Sequence, residues 1–263
     1  MVEKIARRTG AMILSAKNVH ADAKAGHANF VTETDVAAQA MIIEGLEPLI
    51  DGASFKAEEK DNADDPSGYR WVIDPIDGTT NFMKGYGHFG ISIALEKDGE
   101  GIIGVVFDPS KDDMYVGIKG CGAYLNGKPM HVSECGVETG VVIFGSAIYY
   151  EEFRKLTFEL STDIMMICGD IHRTGSSALD LCALAAGKCD GTFQCCIQHW
   201  DYAAAKVMIK EAGGSFEPVA VDDRYKAGPV VFVGGNALTF EPIKKEVAAF
   251  LEKQRLETLH IIR

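Results

Sequence analysis

Two carboxylates stand three residues apart in Trp71-Val72-Ile73-Asp74-Pro75-Ile76-Asp77-Gly78-Thr79-Thr80, at the end of an apolar run. Like charges held that close repel, so the pair is costly unless a cation lies between them. Pro75 stiffens what reads as an Asp-Pro-Ile-Asp turn, and Gly78 lets the backbone approach a ligand. If Thr79 and Thr80 open a helix, its first N–H groups can hold an anion. A cation site beside an anion site is the pairing that phosphate chemistry uses.

Two further acidic groups accompany this segment. Glu58-Glu59 precede a turn-rich stretch, DNADDPSG, and Asp201 follows Trp200 at the head of DYAAAKVMIKEAGG, which reads as a helix ending on Gly213-Gly214. Each has an ordinary explanation taken singly: Asp201 as a helix N-cap, Glu58-Glu59 as a solvated pair, Asp74 and Asp77 as a capped turn. Taken together they are hard oxygen donors with no His/Cys cluster beside them, a set suited to Mg²⁺ or Mn²⁺ rather than zinc.

The rest of the chain must position these groups. Its 263 residues are enough for one large domain or two smaller ones, with 47% hydrophobic and 24% charged residues, ordinary for a globular protein. The 38 Asp+Glu against 26 Lys+Arg leave a net charge of −12, which argues against a nucleic-acid polymer as partner. No apolar run approaches the ~20 residues of a membrane span. Seven cysteines without a zinc-like CxxC pair, and an N-terminus (MVEKIARRTGAMILSAK) that mixes charge into an amphipathic pattern, predict free thiols packed as small core residues and a cytoplasmic location.

Periodicity predicts a helix over 3–19, a loop or hairpin over 20–34, and a second helix opened by Asp35 and stopped near Pro48. A short strand follows at 53–60 and another at 70–74. The segments ISIALE, GIIGVVFD, MYVGIKG and GAYLNGKPM, with turns at Lys97–Glu100 and Asn126-Gly127, predict an antiparallel meander. Beyond residue 135 strand and helix alternate: VVIFGSA, a helix at 149–160, MMICG, a helix at 177–187, GTFQCC, a helix at 202–211, VVFVGG and a helix at 241–257. The expected fold class is α+β to α/β. An antiparallel-rich half, 1–137, would carry most of the acids, and an alternating half, 138–263, would supply Asp201 and the substrate pocket.

Glu58-Glu59, the run from Trp71 to Phe82, and Trp200-Asp201-Tyr-Ala-Ala together resemble the inositol monophosphatase family, lithium-sensitive, magnesium-dependent sugar phosphatases. The resemblance extends from about Lys24 to Gly214. It implies a layered αβαβα sandwich, usually a homodimer, that hydrolyses a small phosphomonoester, inositol 1-phosphate first among them, with metal-activated water. It implies two or three Mg²⁺ ions, Mn²⁺ being an alternative. Glu58, Asp74 and the Ile76 carbonyl would hold the first; Asp74, Asp77 and Asp201 the second; Glu58 with Glu59 a weaker third. Gly78, Thr79 and Lys24 would face the phosphate, and Asp35 would pair with Thr79, so that Asp35, Thr79 and Glu58 take part in catalysis. Asp77, Gly175, Ser176, Ser177, Gln194 and Asp201 would line the substrate pocket.

The sequence departs from the family pattern in places. Gln194 stands seven residues before Asp201, where inositol phosphatases carry a glutamate that accepts bonds from ring hydroxyls; an amide has fewer acceptors. Ser177 replaces the commoner alanine, and Asn29 a common aspartate. His172 and His199 read as pocket-wall or core residues. Fructose-1,6-bisphosphatase, histidinol-phosphatase and 3′-phosphoadenosine 5′-phosphate phosphatase are the alternative activities; the bisphosphates would need a basic second end, for which Arg173, Lys206 and Arg224 are available. A regulatory or RNA-associated module that keeps the fold without turnover is the non-enzyme alternative.

Overall fold

A computed structural model describes residues 1–16, 21–23, 30–59, 68–146, 150–222, 229–254 and 259–262. Helix α1 (Val2–Ser15) buries Ala6, Thr9, Gly10 and Ile13, one face at helical spacing. Strands β1 (Ala21–Ala23) and β2 (Phe30–Thr32) pair antiparallel, the hairpin form of the expected connection. Helix α2 (Glu33–Leu46) begins two residues before Asp35, because Thr32 is its N-cap and Asp35 closes a capping box as the third helical residue.

The first sheet has seven strands in sequence order. These are β3 (Ser54–Ala57), β4 (Tyr69–Asp77), β5 (Gly90–Lys97), β6 (Glu100–Asp108), β7 (Asp113–Ile118), β8 (Gly122–Leu125) and β9 (Lys128–Pro129). Only β3 and β4 run parallel; the rest form the predicted meander. Positive φ at Asp98-Gly99 and at Asn126-Gly127 closes the two tight hairpins. A five-residue helix, α3 (Thr79–Met83), follows β4 directly.

The second sheet has the order β11-β10-β12-β14-β13-β15. It comprises β10 (Val141–Ser146), β11 (Asp170–His172), β12 (Gly191–Cys195), β13 (Ser215–Asp222), β14 (Pro229–Gly235) and β15 (Leu259–Ile261). Its helices are α4 (Glu151–Met165), α5 (Ser177–Ala185), α6 (His199–Glu211) and α7 (Phe240–Gln254). Two expectations are corrected here, and two strands are added. MMICG is no strand: Met165 ends α4 and the strand follows at Asp170. Strands β13 and β15 pass unpredicted, since Pro218 and the acids of SFEPVAVD mask its alternation and LHI is too short to signal. And α6 starts at His199, so Asp201 is its third residue.

Strand alternation explains the layers. On β4, Trp71 and Ile73 pack with Ala6, Ile13 and Ile42 of α1 and α2, while Val72 faces the other way, into a cluster with Ala204 and Met208 of α6 and Phe232 of β14. On the far side of the second sheet, Phe153, Leu160 and Val247 of α4 and α7 cover Val231 and Val233. The result is helices, sheet, helices (α5 and α6), sheet, helices. Glycines let α6 lie flat on the first sheet: a Cβ at Gly104 would sit 2.1 Å from the Ala204 carbonyl oxygen, one at Gly117 2.8 Å from the Met208 side chain. No helix among the described residues is long and apolar enough to cross a membrane. All seven cysteines are unbridged; Cys182, Cys189, Cys195 and Cys196 are buried, whereas Cys121 is exposed.

Candidate active site

The Asp-Pro-Ile-Asp segment is not a turn. β4 continues through it to Asp77, and the ladder to β5 pairs Asp74 with Ser92 and Asp77 with Gly90. Three steps on β4 thus match two on β5, which is a β-bulge, and Pro75 sits where no ladder N–H is needed. The bulge has a chemical consequence. Residues three apart on a regular strand point to opposite faces; the extra residue brings Asp77 onto the face of Asp74, the inner face covered by α6.

The third aspartate reaches that face from the other sheet's side. In the first turn of α6, Asp201 Oδ2 accepts the Gln198 N–H at 2.7 Å. The Ser92 hydroxyl, on the residue paired with Asp74, donates to the Trp200 carbonyl at 3.1 Å. That bond ties the α6 turn to the strand position opposite Asp74. Oxygen atoms of Asp74, Asp77 and Asp201 all lie within 4.8 Å of one another. Glu58 follows β3, and its N–H donates to the Ile73 carbonyl at 3.2 Å, extending the parallel ladder so that Glu58 stands beside Asp74. Glu59 is half-buried, its N–H held by Gln39 Oε1 at 2.9 Å.

Electrostatics match this crowding. Asp74 is pushed well above the ordinary carboxylate range, first by burial, then by the charges of Glu58, Asp77 and Asp201. Asp201 is raised likewise, by burial and then by Asp77, with the Gln198 N–H opposing. Burial raises Asp77 to about 6 against the bonds it accepts from Ser176, Ala178 and Ser177. Four acids in one site, Asp74 and Asp77 buried and Glu58 and Asp201 half-buried, form an all-oxygen donor set with excess negative charge, which fits a hard divalent cation.

Beside the acids lies the junction of β4 with α3. Gly78 caps α3 at φ 94°, and a Cβ there would meet the His88 and Gly175 carbonyl oxygens at 3.1 and 3.2 Å. The first-turn N–H groups of α3 have no carbonyl four residues back to bond. Thr79 Oγ1 lies 3.3 Å from Asp35 Oδ1 and 3.1 Å from the Ile76 carbonyl oxygen. Asp35 is fully buried; its other oxygen accepts the Thr32 N–H at 2.9 Å and the Thr32 hydroxyl. Burial raises its pKa despite these bonds. Replacing Gly78 by alanine is expected to destabilise the protein by about 1–3 kcal/mol, since both the left-handed backbone and two fixed carbonyls oppose a Cβ. Thermal melts paired with steady-state kinetics check this, with a fall in activity exceeding the unfolded fraction as the expected outcome.

A sequence model of the inositol monophosphatase family matches residues 1–250. The chain belongs to the inositol monophosphatase family. Among relatives, it is 34% identical to the Nus factor SuhB of Escherichia coli K12 over 262 residues, covering 97% of this chain and 94% of that one. It is 37% identical over 196 residues to the inositol-1-monophosphatase of Rhizobium meliloti, covering 72% of each. Two solved structures resemble it along their length. The extragenic suppressor protein suhB of Bartonella henselae aligns with TM-score 0.81 and 29% identity, over 95% of this chain and 96% of that one. The IMPase of Thermotoga maritima aligns with TM-score 0.80 and 30% identity, with the same coverage.

Within this inositol monophosphatase fold the pocket residues read from sequence separate. Gly175 is exposed at φ 94°, next to Gly78, and Ser177 is half-buried. Ser176 is fully buried: its hydroxyl and the Ala178 N–H donate to Asp77 Oδ2 at 2.5 and 2.7 Å. Gln194 is fully buried too. Its Oε1 accepts from Ser177 Oγ at 3.3 Å, its Nε2 donates to Thr192 Oγ1 at 3.0 Å, and its amide bonds the buried Asp180. Lys24, Asn29 and Arg224 lie outside the described residues. Sequence reasoning missed Ser92, and it missed Asn81, whose amide joins the His88 and Thr174 carbonyls at 2.8 and 3.0 Å and so stitches the two sheets' loops together. Asn81 follows the Gly-Thr-Thr run directly, a signal that was available; Ser92 had none.

Proposed function

We propose that this protein is a Mg²⁺-dependent phosphatase of small phosphomonoesters, with inositol 1-phosphate as the preferred substrate. The observation that carries the reading is the convergence of Asp74, Asp77 and Asp201 within 4.8 Å at the edge of a glycine-capped helix start. Glu58, Asp74 and the Ile76 carbonyl would hold one ion, Asp74, Asp77 and Asp201 a second, and Glu59 would help with a third. The bound ions supply charge neutralisation for the phosphate and a lowered pKa for water.

The protein's own groups do the rest. Gly78 and Thr79 N–H groups orient the phosphate oxygens. The Thr79 hydroxyl, by donating to Asp35, turns its lone pairs toward a water and can take its proton as it passes its own on. Asp35, made more basic by burial, is the acceptor at the end of that relay. Ser176 acts on Asp77, holding one oxygen so that the other faces the ion, rather than on the substrate. Gly175 and Ser177 are the pocket surface left for the polyol. Gln194 acts from behind, through Ser177.

The test is phosphate release with Mg²⁺ from inositol 1-phosphate, fructose 1,6-bisphosphate, histidinol phosphate and 3′-phosphoadenosine 5′-phosphate. Inositol 1-phosphate turned over fastest supports the reading; no release from any of them with Mg²⁺ or Mn²⁺ overturns it. Gln194→Glu belongs in the same assay. It places a second carboxyl against buried Asp180, so a lowered melting temperature with an unchanged substrate ranking is expected. The relatives named Nus factor SuhB favour one second reading, a regulatory module, which an inert result in this screen would promote. The buried thiols support a cytoplasmic setting, and a homodimer follows family habit; equilibrium sedimentation decides the latter.

A further inference from the structure

Among the described residues, the first turn of α6 is tied to the first sheet at a second place. Beside the Ser92–Trp200 bond, His199 Nε2 lies 2.8 Å from Glu96 Oε1. The other oxygen of Glu96 accepts from Arg70 Nη2 at 2.7 Å and from Arg70 Nε at 3.2 Å. Arg70 and Glu96 are paired across β4 and β5 and are only 5% and 4% exposed. They sit on the same face of β4 and β5 as Asp74 and Ser92, because all are an even number of residues apart along their strands. A buried carboxylate whose lone pairs are spent on an arginine of the strand and a histidine of the helix fixes where the helix can lie. His199 opens α6, and Asp201 follows two residues later.

We propose that Arg70, Glu96 and His199 are positioning residues: one shared carboxylate sets the seat of the α6 first turn, and thereby aims Asp201 at Asp74 and Asp77. This rests on the metal-site reading given under the proposed function. None of the three belongs to the acid cluster itself. Loss of the tether would let the turn shift while α6 stays packed on its glycines.

The experiment is calorimetric titration of the full-length protein with Mn²⁺, alongside thermal melts in EDTA, for the wild type, His199→Leu, His199→Gln and His199→Asn. A glutamine amide can replace the imidazole Nε2 donor; leucine cannot. Expected are Mn²⁺ affinity lowered about 10-fold in H199L, as for other groups that orient metal ligands, affinity within about twofold of wild type in H199Q, and melting curves in EDTA that remain cooperative. Equal affinity in wild type and H199L, or a lowered melting temperature with unmoved affinity, overturns the positioning role and leaves the metal site standing. A wild type that takes up no Mn²⁺ overturns both. If H199L does not fold, His199→Asn decides: it stays polar but its amide is too short to reach Glu96, and an affinity equal to wild type refutes the seating of Asp201 by that carboxylate.

Discussion

Replacing Asp201 by asparagine is expected to cut phosphate release by about a thousandfold, roughly 4 kcal/mol of barrier, while raising the melting temperature of the metal-free protein. Both follow from the same crowding. Oxygens of three carboxylates lie within 4.8 Å of one another, with Glu58 alongside. At an effective dielectric near 20, each ionised pair at that range repels by roughly 3 kcal/mol. A cation converts that repulsion into binding; without one, it is a cost of folding. Asparagine removes one of the charges, so the metal-free fold gains what the site loses.

The pH dependence has a definite sign. Folded-state pKa values of Asp74, Asp77 and Asp201 lie above the unfolded ones, so the folded state binds more protons between the two. Stability of the metal-free protein therefore increases as pH falls from 7 through about 6, the value for Asp77, toward the ordinary carboxylate range. For Asp77 alone the increase is about 3 kcal/mol. Melts in EDTA across pH 5 to 8 should show this slope, reduced in D201N. Adding Mg²⁺ at a hundred times its dissociation constant should stabilise the neutral wild type by about 2.7 kcal/mol. A D201N protein with near-normal turnover and a lower melting point in EDTA would remove Asp201 from the site.

The second large effect comes from a residue with no functional group. Gly104→Ala should cost about 3 kcal/mol, since a Cβ at 2.1 Å from the Ala204 carbonyl oxygen meets backbone that cannot rotate away. For a chain of this size that is about 6–12 °C in melting temperature. Because Ala204 lies one turn beyond Asp201 on α6, Mn²⁺ affinity of the surviving fold should drop as well. The corresponding change at an open position, Gly120→Ala, meets nothing within 4 Å of the new Cβ, and only its φ of 74° opposes it. A G104A protein that melts with wild type would mean that α6 rides higher on the sheet than a 2.1 Å approach to Gly104 requires.

What could be read from the chain, and what could not, divides along a physical line. Chemical identity is local: Asp74, Asp77 and Gly78 announce a charged, ligand-facing junction because acids, proline and glycine packed that closely have few other uses. The hairpin at Asp98-Gly99 and the helix face of α1 were legible for the same reason, since turn chemistry and periodicity act over a few residues. The direction of each side chain was not. A bulge between Asp74 and Asp77 shows only in the register with β5, and it decides that both acids share a face. Likewise Ser176 and Gln194 look like pocket residues in one dimension. Their complete burial depends on how α5 and β12 pack against Asp77 and Gly145, which are distant in sequence. Residue type determined which atoms could bind a cation; only the meeting of the α6 turn with the inner face of β4 determined that they stand together. Burial and register are sums over the whole fold, and no short segment contains them.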